Sequence, residues 1–458
     1  MKVIVCGAGQ VGFNIARYLA MAGNDVTIVD QSAELAQRIG DSLDIQSIVG
    51  HASLPGTLDE AGARDADLLV AVTYADEVNM VACQVAHTLF NVPTKIARIR
   101  NQAYLESRWQ DLFRRNHLPI DVIISPEREV AHAIALRLDV PGAVNVVPFV
   151  DDAVRLIAIR AQEDCPVLNT PLRQLTYLFP DLHMVVVGIG RGERFFIPDA
   201  DDQIIAQDEV HFVVDTEHIA RALLAFGQEE RISERIVIAG GGNIGLFLAQ
   251  ELEQRYPSLS LTLIEASPQR AEAVADRLQR GMVLRGDARD RDLLEEANIG
   301  ATEAVVTVTN DDEVNIMAAL LAKRLGCRRA MALVNNSSYA LLMRAIGIDV
   351  AINPRDTTVS SILQHVRRGR IKAVHTIRDG EAEIFEAEAL ETSPLVGRPL
   401  KELRRSGGMI VGAIVRDGHM ITPRADTVVT AHDRVVIVAR SDMVKKVEQL
   451  FAVRLDYF

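Results

Sequence analysis

Residues 2 to 12 read KVIVCGAGQVG, an apolar run that leads into three glycines, Gly7, Gly9 and Gly12. The apolar run predicts a buried strand, and the residues after it have helical spacing. Glycine at these three positions permits a tight turn, close approach of the backbone to a pyrophosphate and close packing of helix on strand. The stretch therefore predicts the first βα turn of a dinucleotide-binding fold, with the N–H groups of the helix N-terminus facing a phosphate.

This stretch occurs twice in the chain. Residues 235 to 245 read RIVIAGGGNIG, with Gly240, Gly242 and Gly245 at the same spacing. Residues 68–79 (LLVAVTYADEVN) and 304–315 (AVVTVTNDDEVN) also correspond, and seven of the twelve positions are identical. A duplicated order of motifs is more specific than a single GxGxxG, so the chain is predicted to contain two homologous halves.

An acidic residue follows each glycine motif at the end of the next predicted strand. Asp30 lies 18 residues after Gly12, and Glu265 lies 20 residues after Gly245. A carboxylate there can accept hydrogen bonds from ribose hydroxyls, and it repels a 2′-phosphate, which disfavours NADP. The alternative is that the glycines only form tight turns around an empty site. The other predicted cofactor-binding residues of the two loops are Ala8, Gln10, Val11, Gly241, Asn243 and Ile244.

Polar residues also end the fourth predicted strand of each half. Thr73 and Tyr74 lie there in the first half, and Thr309 lies there in the second. Ligands of open parallel sheets bind outside the carboxyl ends of the strands. We therefore expect the threonine hydroxyls to contact the nucleotide.

Two arginines, Arg98 and Arg100, end the fifth predicted strand of the first half. Guanidinium groups suit phosphate, although a surface ion pair would also account for Arg98. The aligned residues of the second half are Leu333 and Asn335, which carry no charge. The two sites are therefore expected to differ in affinity or in ligand, and the first should tolerate more phosphate charge.

Acidic residues begin several predicted helices at the same edge. Asp76 and Asp312 are favoured in a first helical turn by the helix dipole, and this explains them without a ligand. Glu127 has the same explanation, but its carboxylate could also reach a neighbouring nucleotide through a cation.

The fold class predicted from these patterns is α/β, with two tandem Rossmann-type parallel-sheet N-lobes, each followed by a small α+β C-lobe. Continuous apolar runs that alternate with helical segments indicate a parallel sheet covered on both faces. Short strand-like runs with turn residues follow each of these regions. The predicted domains are a first dinucleotide-binding lobe at 1–125, a crossover helix and C-lobe at 126–227, a second dinucleotide-binding lobe at 232–355, and a crossover helix and C-lobe at 356–458.

Composition narrows the function classes. The formal net charge of −13 disfavours nucleic acid as a partner. The four cysteines form no C-x-x-C pair, so neither a zinc site nor a disulfide framework is expected. Residues 78–94, the longest stretch without a charged residue, contain too many polar residues for a membrane span. The sequence lacks GxSxG, HExxH and Walker motifs, so we expect no catalytic residues, no metal ligands and no enzyme activity.

The tandem GAGQVG and GGGNIG loops, the acids Asp30 and Glu265, the repeated Asp-Glu-Val-Asn segments and the small trailing lobes resemble the TrkA family of Trk-system potassium uptake regulatory proteins. Members of this family contain two RCK (KTN) domains, each with an N-lobe and a C-lobe. The resemblance covers the whole chain, and its specificity comes from the duplicated order of the motifs.

The resemblance implies a cytoplasmic subunit, peripheral on the inner face of the cell membrane, that docks on a membrane potassium-translocating subunit of Trk type. It also implies a homo-oligomer, a ring of four such chains. The implied ligands are NAD or NADH, with ATP or ADP as alternative ligands at the same sites. The residues to which the resemblance assigns binding are Gly7 to Val11, Asp30, Thr73, Tyr74, Arg98, Gly240 to Ile244 and Glu265.

Two other functions remain open from the sequence. An NAD-dependent dehydrogenase would need a catalytic acid–base pair, and the small lobes are short and offer none. A regulator of another cation transporter, such as a cation–proton antiporter, would share every motif described so far.

Overall fold

The computed structural model describes residues 1–21, 23–140, 142–179, 182–228, 234–336, 339, 342–343, 345–366, 371–377, 380–402 and 408–451. These residues form two compact units. The first contains Met1–Val130 and Pro354–Val366, and the second contains Ala131–Asn353 and Arg367–Phe458. Each unit has its own six-stranded parallel sheet.

The parallel sheet of the first unit has the strand order β3-β2-β1-β4-β5-β6. Its strands are β1 (Lys2–Cys6), β2 (Asp25–Asp30), β3 (Gln46–Val49), β4 (Leu68–Ala71), β5 (Thr94–Arg98) and β6 (Val122–Ile124). The order reverses between β1 and β4, as in doubly wound dinucleotide-binding folds. This confirms the predicted fold of the first N-lobe.

Both faces of the first sheet are covered, as the continuous apolar runs predict. Val3 and Val5 pack on one face with Ile15, whereas Ile4 and Cys6 pack on the opposite face. Side chains of successive strand residues point to opposite faces, so a strand buried on both faces is apolar throughout. The helices that follow these strands are α1 (Gln10–Met21), α2 (Ala33–Leu43), α3 (Pro55–Glu60), α4 (Asp76–Phe90) and α5 (Pro126–Asp139).

The first small lobe contains a five-stranded antiparallel sheet in the order β10-β9-β11-β8-β7. Its elements are β7 (Ala143–Phe149), β8 (Val154–Arg160), α6 (Leu172–Leu178), β9 (Met184–Arg191), β10 (Arg194–Phe196), β11 (Glu209–Asp215) and α7 (Ile219–Ala225). The change from parallel to antiparallel pairing falls where the sequence pattern changes period.

The second N-lobe repeats the parallel fold, with the strand order β14-β13-β12-β15-β16-β17. Its strands are β12 (Arg235–Ala239), β13 (Ser260–Glu265), β14 (Met282–Arg285), β15 (Ala304–Thr307), β16 (Arg329–Leu333) and β17 (Val350–Ile352). Its helices include α8 (Asn243–Arg255), α9 (Pro268–Ala275), α10 (Arg291–Glu296) and α11 (Asp312–Arg324).

The second small lobe again has a five-stranded antiparallel sheet, in the order β18-β19-β22-β20-β21. Its elements are β18 (Ile371–Ile377), β19 (Ala382–Glu388), β20 (Met409–Arg416), β21 (His419–Ile421), β22 (Arg434–Arg440) and α13 (Val444–Leu450). The predicted fold class, two parallel-sheet N-lobes each followed by a small α+β lobe, is therefore confirmed.

An identical ion pair in the two small lobes supports the internal repeat. Arg191 donates two hydrogen bonds to the carboxylate of Asp208, from Nε at 2.9 Å and from Nη2 at 2.8 Å. Arg416 contacts Asp433 in the same way, from Nε and Nη2 at 2.8 Å each. Both aspartates are buried, and each also accepts a backbone N–H within its own turn. The pair fixes the turn that precedes β11 in one lobe and β22 in the other.

The two small lobes share a core in the second unit. Val187 and Val213 of the first lobe are buried in one cluster with Ile384 and Val438 of the second. A Cβ on Gly412 in β20 would lie 2.8 Å from Cγ2 of Val213, so the strands approach too closely for a side chain at that position. This packing ties the ends of the two halves together.

A helix from the second half of the sequence belongs to the first unit. The helix α12 (Pro354–Val366) packs against α1, and Ile362, Leu363 and Val366 lie in the same core as Ile15 and Leu19. Amphipathic spacing predicts such a helix, but it does not specify the element that the apolar face covers. The first N-lobe therefore completes its core with residues far along the chain.

Candidate functional site

The three glycines of the first loop differ in what a side chain at each position would contact. Gly7 follows β1 with a φ of +113°, and a Cβ there would lie 3.0 Å from the backbone of Val72 and Thr73. A Cβ on Gly12 would lie 1.8 Å from the carbonyl oxygen of Gly7. By contrast, no atom lies within 4 Å of the Cβ position of Gly9. Packing therefore requires Gly7 and Gly12, whereas Gly9 leaves open space where a phosphate would approach the helix N-terminus.

The second loop has the same three environments. Gly240 has a φ of +116°, and a Cβ on Gly245 would lie 1.9 Å from the carbonyl oxygen of Gly240. No atom lies within 4 Å of the Cβ position of Gly242. The geometry of the first loop is thus reproduced in the second unit, including the open space beside the middle glycine.

Asp30, at the end of β2, is hydrogen-bonded to the backbone of the first loop. Its Oδ2 accepts the backbone N–H of Ala8 at 2.6 Å, and its Oδ1 accepts the N–H of Ser32 at 2.8 Å. Each carboxylate oxygen has two lone pairs, so one acceptor position remains on each. Asp30 therefore orients the loop and keeps the capacity to accept ribose hydroxyls that the sequence predicts.

Glu265 performs the same task in the second loop with a longer side chain. Its Oε2 accepts the N–H of Gly241 at 2.7 Å, and its Oε1 accepts the N–H of Ser267 at 2.8 Å. A Cβ on Gly241 would lie 3.1 Å from Cβ and 3.0 Å from Oε2 of Glu265. The longer acid is thus paired with glycine, whereas the shorter Asp30 is paired with Ala8 in the first loop.

An asparagine that the sequence shows only as part of the repeated Asp-Glu-Val-Asn segment organises the end of β4. Asn79 is fully buried, and its Oδ1 accepts from the backbone N–H of Thr73 at 2.8 Å and from its hydroxyl at 2.7 Å. Its Nδ2 donates to the carbonyl oxygens of Thr73 at 3.2 Å and of Arg98 at 2.9 Å. Asn315 contacts Thr309 in the same three ways. The threonine hydroxyls donate inward, so a ligand would meet them as acceptors.

Asp76, in the first turn of α4, has a second role beyond the dipole effect that explains it in the sequence. Its carboxylate accepts the backbone N–H groups of Arg100 and Asn101 at 2.7 to 3.0 Å. Asp312 accepts the N–H of Asn335 at 2.9 Å in the second unit. These carboxylates fix the chain where it leaves the fifth strand of each sheet.

The arginines of the first site lie beside an exposed tyrosine. The side chain of Tyr74 is 86% exposed, and the guanidinium of Arg100 lies 5.6 Å from the centre of its ring. Arg98 donates from Nη2 to the carbonyl oxygen of Thr73 at 2.7 Å, and its buried Nε has no hydrogen-bond partner among the described residues. Burial lowers the pKa of Arg98. Arg98 is therefore held by the backbone and not by a surface ion pair.

Glu127 lies close to these arginines. Its Oε1 is 3.5 Å from Nε of Arg100, and its buried Oε2 has no hydrogen-bond partner within the described part of the chain. The contact with Arg100 is long for a hydrogen bond, and it does not satisfy the second oxygen.

The second site contains a cation that the sequence comparison does not find. Leu333 and Asn335 stand where the first site has arginines, and Leu333 is buried. Arg270, in the first turn of α9, instead donates from Nε to the carbonyl oxygen of Gly241 at 2.6 Å and from Nη2 to Oδ1 of Asn243 at 3.2 Å. A long side chain from another element cannot be located by aligning strand ends.

The described residues contain no group of three or more His, Cys, Asp or Glu side chains arranged to hold a metal ion. All four cysteines are buried and free, and burial raises the pKa of Cys6 to about 12. Within the same residues, no helix is long and apolar enough to cross a membrane.

The fold and the loops define a class of protein with two Rossmann-type lobes, each with a glycine-rich loop and each followed by a small antiparallel lobe. Comparison with known proteins gives the family. The TrkA-N domain matches residues 3–126 and 236–354, and the TrkA-C domain matches residues 156–227 and 384–452. The chain belongs to the TrkA family of potassium uptake proteins.

Several relatives match the chain over nearly its whole length, and each is named Trk system potassium uptake protein TrkA. The protein of Azorhizobium caulinodans is 51% identical over 100% of both chains. Those of Halomonas elongata and Vibrio alginolyticus are 41% and 42% identical, over 100% and 98% of both chains.

Solved structures show the same fold. The GsuK RCK domain superposes with a TM-score of 0.59 at 16% identity, covering 99% of this chain and 95% of that one. The GsuK channel bound to NAD superposes with a TM-score of 0.59 at 15% identity, covering 99% and 79% of the two chains.

Proposed function

We propose that this chain is the regulatory subunit of a Trk-type potassium uptake system and that it binds NAD(H) and ATP or ADP at its two glycine-rich loops. The observation that carries the proposal is the open space beside Gly9 and Gly242, next to a helix N-terminus in both units. Backbone N–H groups and the helix dipole favour a phosphate at such a position. The NAD bound by the structurally similar GsuK channel supports this choice of ligand.

In this proposal each loop binds one nucleotide. The acids Asp30 and Glu265 accept the ribose hydroxyls, and Arg98 faces the phosphates of the first ligand. The remaining proposed contacts are Gly7, Ala8, Gln10, Val11, Gly12, Thr73, Tyr74, Gly240, Gly241, Asn243, Ile244, Gly245 and Thr309. The chain senses nucleotides and does not turn them over.

The regulation follows from differential binding. A nucleotide shifts a conformational equilibrium only by its difference in affinity for the two states. We propose that ATP, ADP and NAD(H) stabilise different arrangements of the lobes. The membrane potassium-translocating subunit, to which the chain binds from the cytoplasmic side, then opens or closes in response.

Substituting alanine for the middle glycine of each loop tests the nucleotide sites. Gly9→Ala and Gly242→Ala each place a methyl group in the phosphate path, so the affinity of the altered site should fall about a hundredfold, which corresponds to two lost charge-assisted hydrogen bonds. Calorimetric titration of ATP, ADP, NAD and NADH onto the wild type, both single variants and the double variant measures this.

The control for this experiment is stability. The added Cβ meets no atom within 4 Å in either loop, so the thermal midpoints of both variants should equal that of the wild type. Unchanged nucleotide affinity in both variants would rule out the loops as binding sites. Steady consumption of NADH with a small substrate would identify a dehydrogenase instead.

The partner is tested with membrane vesicles. Vesicles that contain the potassium-translocating subunit should change their potassium flux when the full chain is added with ATP in place of ADP. Vesicles that contain a cation–proton antiporter serve as the comparison. A response of the antiporter alone would assign the chain to another transporter.

Exposed apolar side chains at corresponding positions of the two halves support assembly of several chains. On α4, Val81 is 44% exposed and Leu89 is 54% exposed, and on α11 Met317, which corresponds to Val81, is 56% exposed. We propose that these residues lie between the chains of a tetrameric ring.

Charge placed at Val81 and at Met317 should therefore prevent the ring from forming. We expect the double variant Val81→Arg with Met317→Arg to sediment as a single chain at concentrations where the wild type is oligomeric, because desolvating an unpaired charge at an interface is costly. The unfolding midpoint at low concentration should remain that of the wild type, since both side chains are exposed. An unchanged sedimentation coefficient would contradict the proposal.

A further inference from the structure

The turn between β7 and β8 has three consecutive residues in the left-handed region of backbone conformation. Val150, Asp151 and Asp152 have φ values of +55°, +53° and +69°. The side chain crowds the backbone in this region, and a β-branched residue such as valine is an outlier there. Val150 is also buried in the core that the two small lobes share. Strained residues of this kind persist only where their surroundings hold them, and they cluster at switch regions.

The second small lobe holds this turn in place. The backbone N–H of Val150 donates to Oε2 of Glu386 in β19 at 2.7 Å. Arg434 in β22 donates from Nε to Oε1 of Glu386 at 3.0 Å, and its Nη1 contacts the carboxylate of Asp151. We call Glu386 and Arg434 the latch. The residues at the corresponding positions of the first small lobe are Ala158 and Glu209. The internal repeat therefore does not reproduce the latch.

The other end of the turn is connected to the crossover helix α5. Arg155 in β8 donates to the carboxylate of Asp152 from Nε and from Nη2, each at 2.7 Å. The same guanidinium group lies 4.0 Å from Oδ2 of Asp139, the last residue of α5. The side chains of Arg155 and Asp139 are only 12% and 11% exposed. Solvent and salt screen such little-exposed charges weakly, so the two groups still attract each other at this distance.

The second N-lobe contacts the same carboxylate. Arg255, the last residue of α8, donates from Nη1 to Oδ2 of Asp139 at 2.9 Å, and the hydroxyl of Tyr256 donates to Oδ1 at 2.5 Å. The N-cap of α8 is Gly242, the middle glycine of the second loop. A helix of 13 residues spans about 20 Å and moves as a rigid element. A displacement of the loop is therefore carried to Asp139.

The first N-lobe has no equivalent of this connection. The residues of the first half that align with Arg255 and Tyr256 are Ala22 and Gly23. Neither alanine nor glycine has a side chain that can donate a hydrogen bond to a carboxylate. The contacts that lead from a glycine-rich loop to the strained turn are thus specific to the second half.

The strained turn borders open space. Val150, Asp151 and Asp152 line a cavity of about 550 Å³ together with both residues of the latch. A turn that is packed tightly on every side cannot change its conformation unless its surroundings unfold. The open side of this turn leaves room for its backbone to relax when the latch releases it.

We propose that the turn from Val150 to Asp152 is a conformational switch that couples nucleotide binding at the second glycine-rich loop to the packing of the two small lobes. In the latched state, Glu386 and Arg434 keep the turn strained. In the released state the turn relaxes, and the contact between the lobes loosens. Coupling between two binding equilibria is reciprocal, so the state of the latch changes nucleotide affinity at the second loop. The proposal rests on the proposed binding of nucleotides at the loops, and it adds the route by which one of them acts.

The test removes the latch in the full-length chain and measures the affinity of each loop separately. Glu386→Gln combined with Arg434→Gln removes both charges together, so neither remains buried alone. Gly9→Ala isolates the second loop, and Gly242→Ala isolates the first. NADH and ATP are titrated calorimetrically onto both proteins, with and without the latch substitutions. The structure shows the open loop together with the latched turn, so removal of the latch should weaken binding at the second loop at least about fivefold and at the first loop less than about twofold.

Two further variants test the route. Asp139→Asn removes the charge that joins α8 to Arg155, so in this background removal of the latch should change affinity at the second loop less than about twofold. Arg416→Gln combined with Asp433→Asn removes another arginine–carboxylate pair from the same small lobe, outside the route. This control should also change affinity at the second loop less than about twofold.

The outcomes separate the switch from nucleotide binding itself. Unchanged affinity at the second loop after removal of the latch would overturn the proposal. Equal losses at both loops, or an equal loss in the Arg416 and Asp433 control, would also overturn it, because general destabilisation would then explain the effect. If the Gly9→Ala protein binds neither NADH nor ATP, the coupling is wrong and nucleotide binding at the first loop still stands. Failure of the wild type to bind any nucleotide would overturn the proposed function.

Discussion

Replacing Gly12 by alanine is expected to lower the free energy of unfolding of the first unit by about 3 kcal/mol or more, the upper range for overpacking of a core. The new Cβ would lie 1.8 Å from the carbonyl oxygen of Gly7. Gly7 cannot move away easily, because its N–H donates to the carbonyl oxygen of Val29 at 2.8 Å. The direction of this change in the free energy of unfolding is informative. Gly12 lies within α1, and replacing a glycine inside a helix by alanine otherwise stabilises a protein by about 0.5–1 kcal/mol.

Urea unfolding of the full chain, followed by circular dichroism, measures this loss. Gly245→Ala is the matched variant in the second unit, where the clash distance is 1.9 Å. Gly9→Ala is the control, since it adds the same methyl group without a contact. A Gly12→Ala protein as stable as the wild type would mean that α1 does not pass β1 as closely as described.

Replacing Asn79 by leucine should have an effect of similar size. The leucine is close in volume, but it leaves the N–H of Thr73 and the carbonyl oxygen of Arg98 without partners in a buried position. Leaving buried polar groups unsatisfied costs about 1–3 kcal/mol each, so we expect a loss of about 3 kcal/mol. The ends of β4 and β5 would separate, and nucleotide affinity at the first loop would fall with stability.

The same denaturation experiment distinguishes this from a general effect of mutating α4. Asn79→Asp keeps the two acceptor contacts, but it places a carboxylate oxygen against two carbonyl oxygens in a fully buried position, so it should destabilise at least as much as leucine. Thr88→Ala, on the exposed face of the same helix, should change stability by less than about 0.5 kcal/mol. A loss confined to nucleotide affinity, with unchanged stability, would show that Asn79 acts on the ligand directly.

The fold could be predicted from the sequence because its signals are local. An apolar run, three glycines at fixed spacing and a helix fix each βα turn, and their duplication fixes the repeat. The helix α4 begins at Asp76 in the structure, where the sequence places the start of a helix after the fourth strand. The partner of α12 could not be predicted in this way. An amphipathic pattern does not specify which core the apolar face of a helix joins, and only the structure shows that α12 joins the first.

The candidate site was predictable where backbone geometry dictates a residue type. The positions of Gly7, Gly12 and Asp30 follow from the turn and the strand that they serve. The role of Asn79 was visible only as an identity between the two halves, because a buried amide that joins two strands leaves no periodic signal. Arg270 was missed because a long side chain reached the loop from a different helix. Aligning the two halves of the sequence does not show where the charged group of a long, flexible side chain lies.

The position of α12 in the first unit has a consequence for the nascent chain on the ribosome. Until Pro354–Val366 has been made, Ile15 and Leu19 of α1 lack part of the cover that they have in the finished protein. Roughly 220 residues separate Val130 from Pro354, and at about 5–20 residues per second their synthesis takes about 10–45 s. During that interval the first N-lobe presents an apolar stripe to the cell. We expect chaperones that recognise exposed apolar segments to bind this protein during translation. A fragment that ends at residue 130 should aggregate.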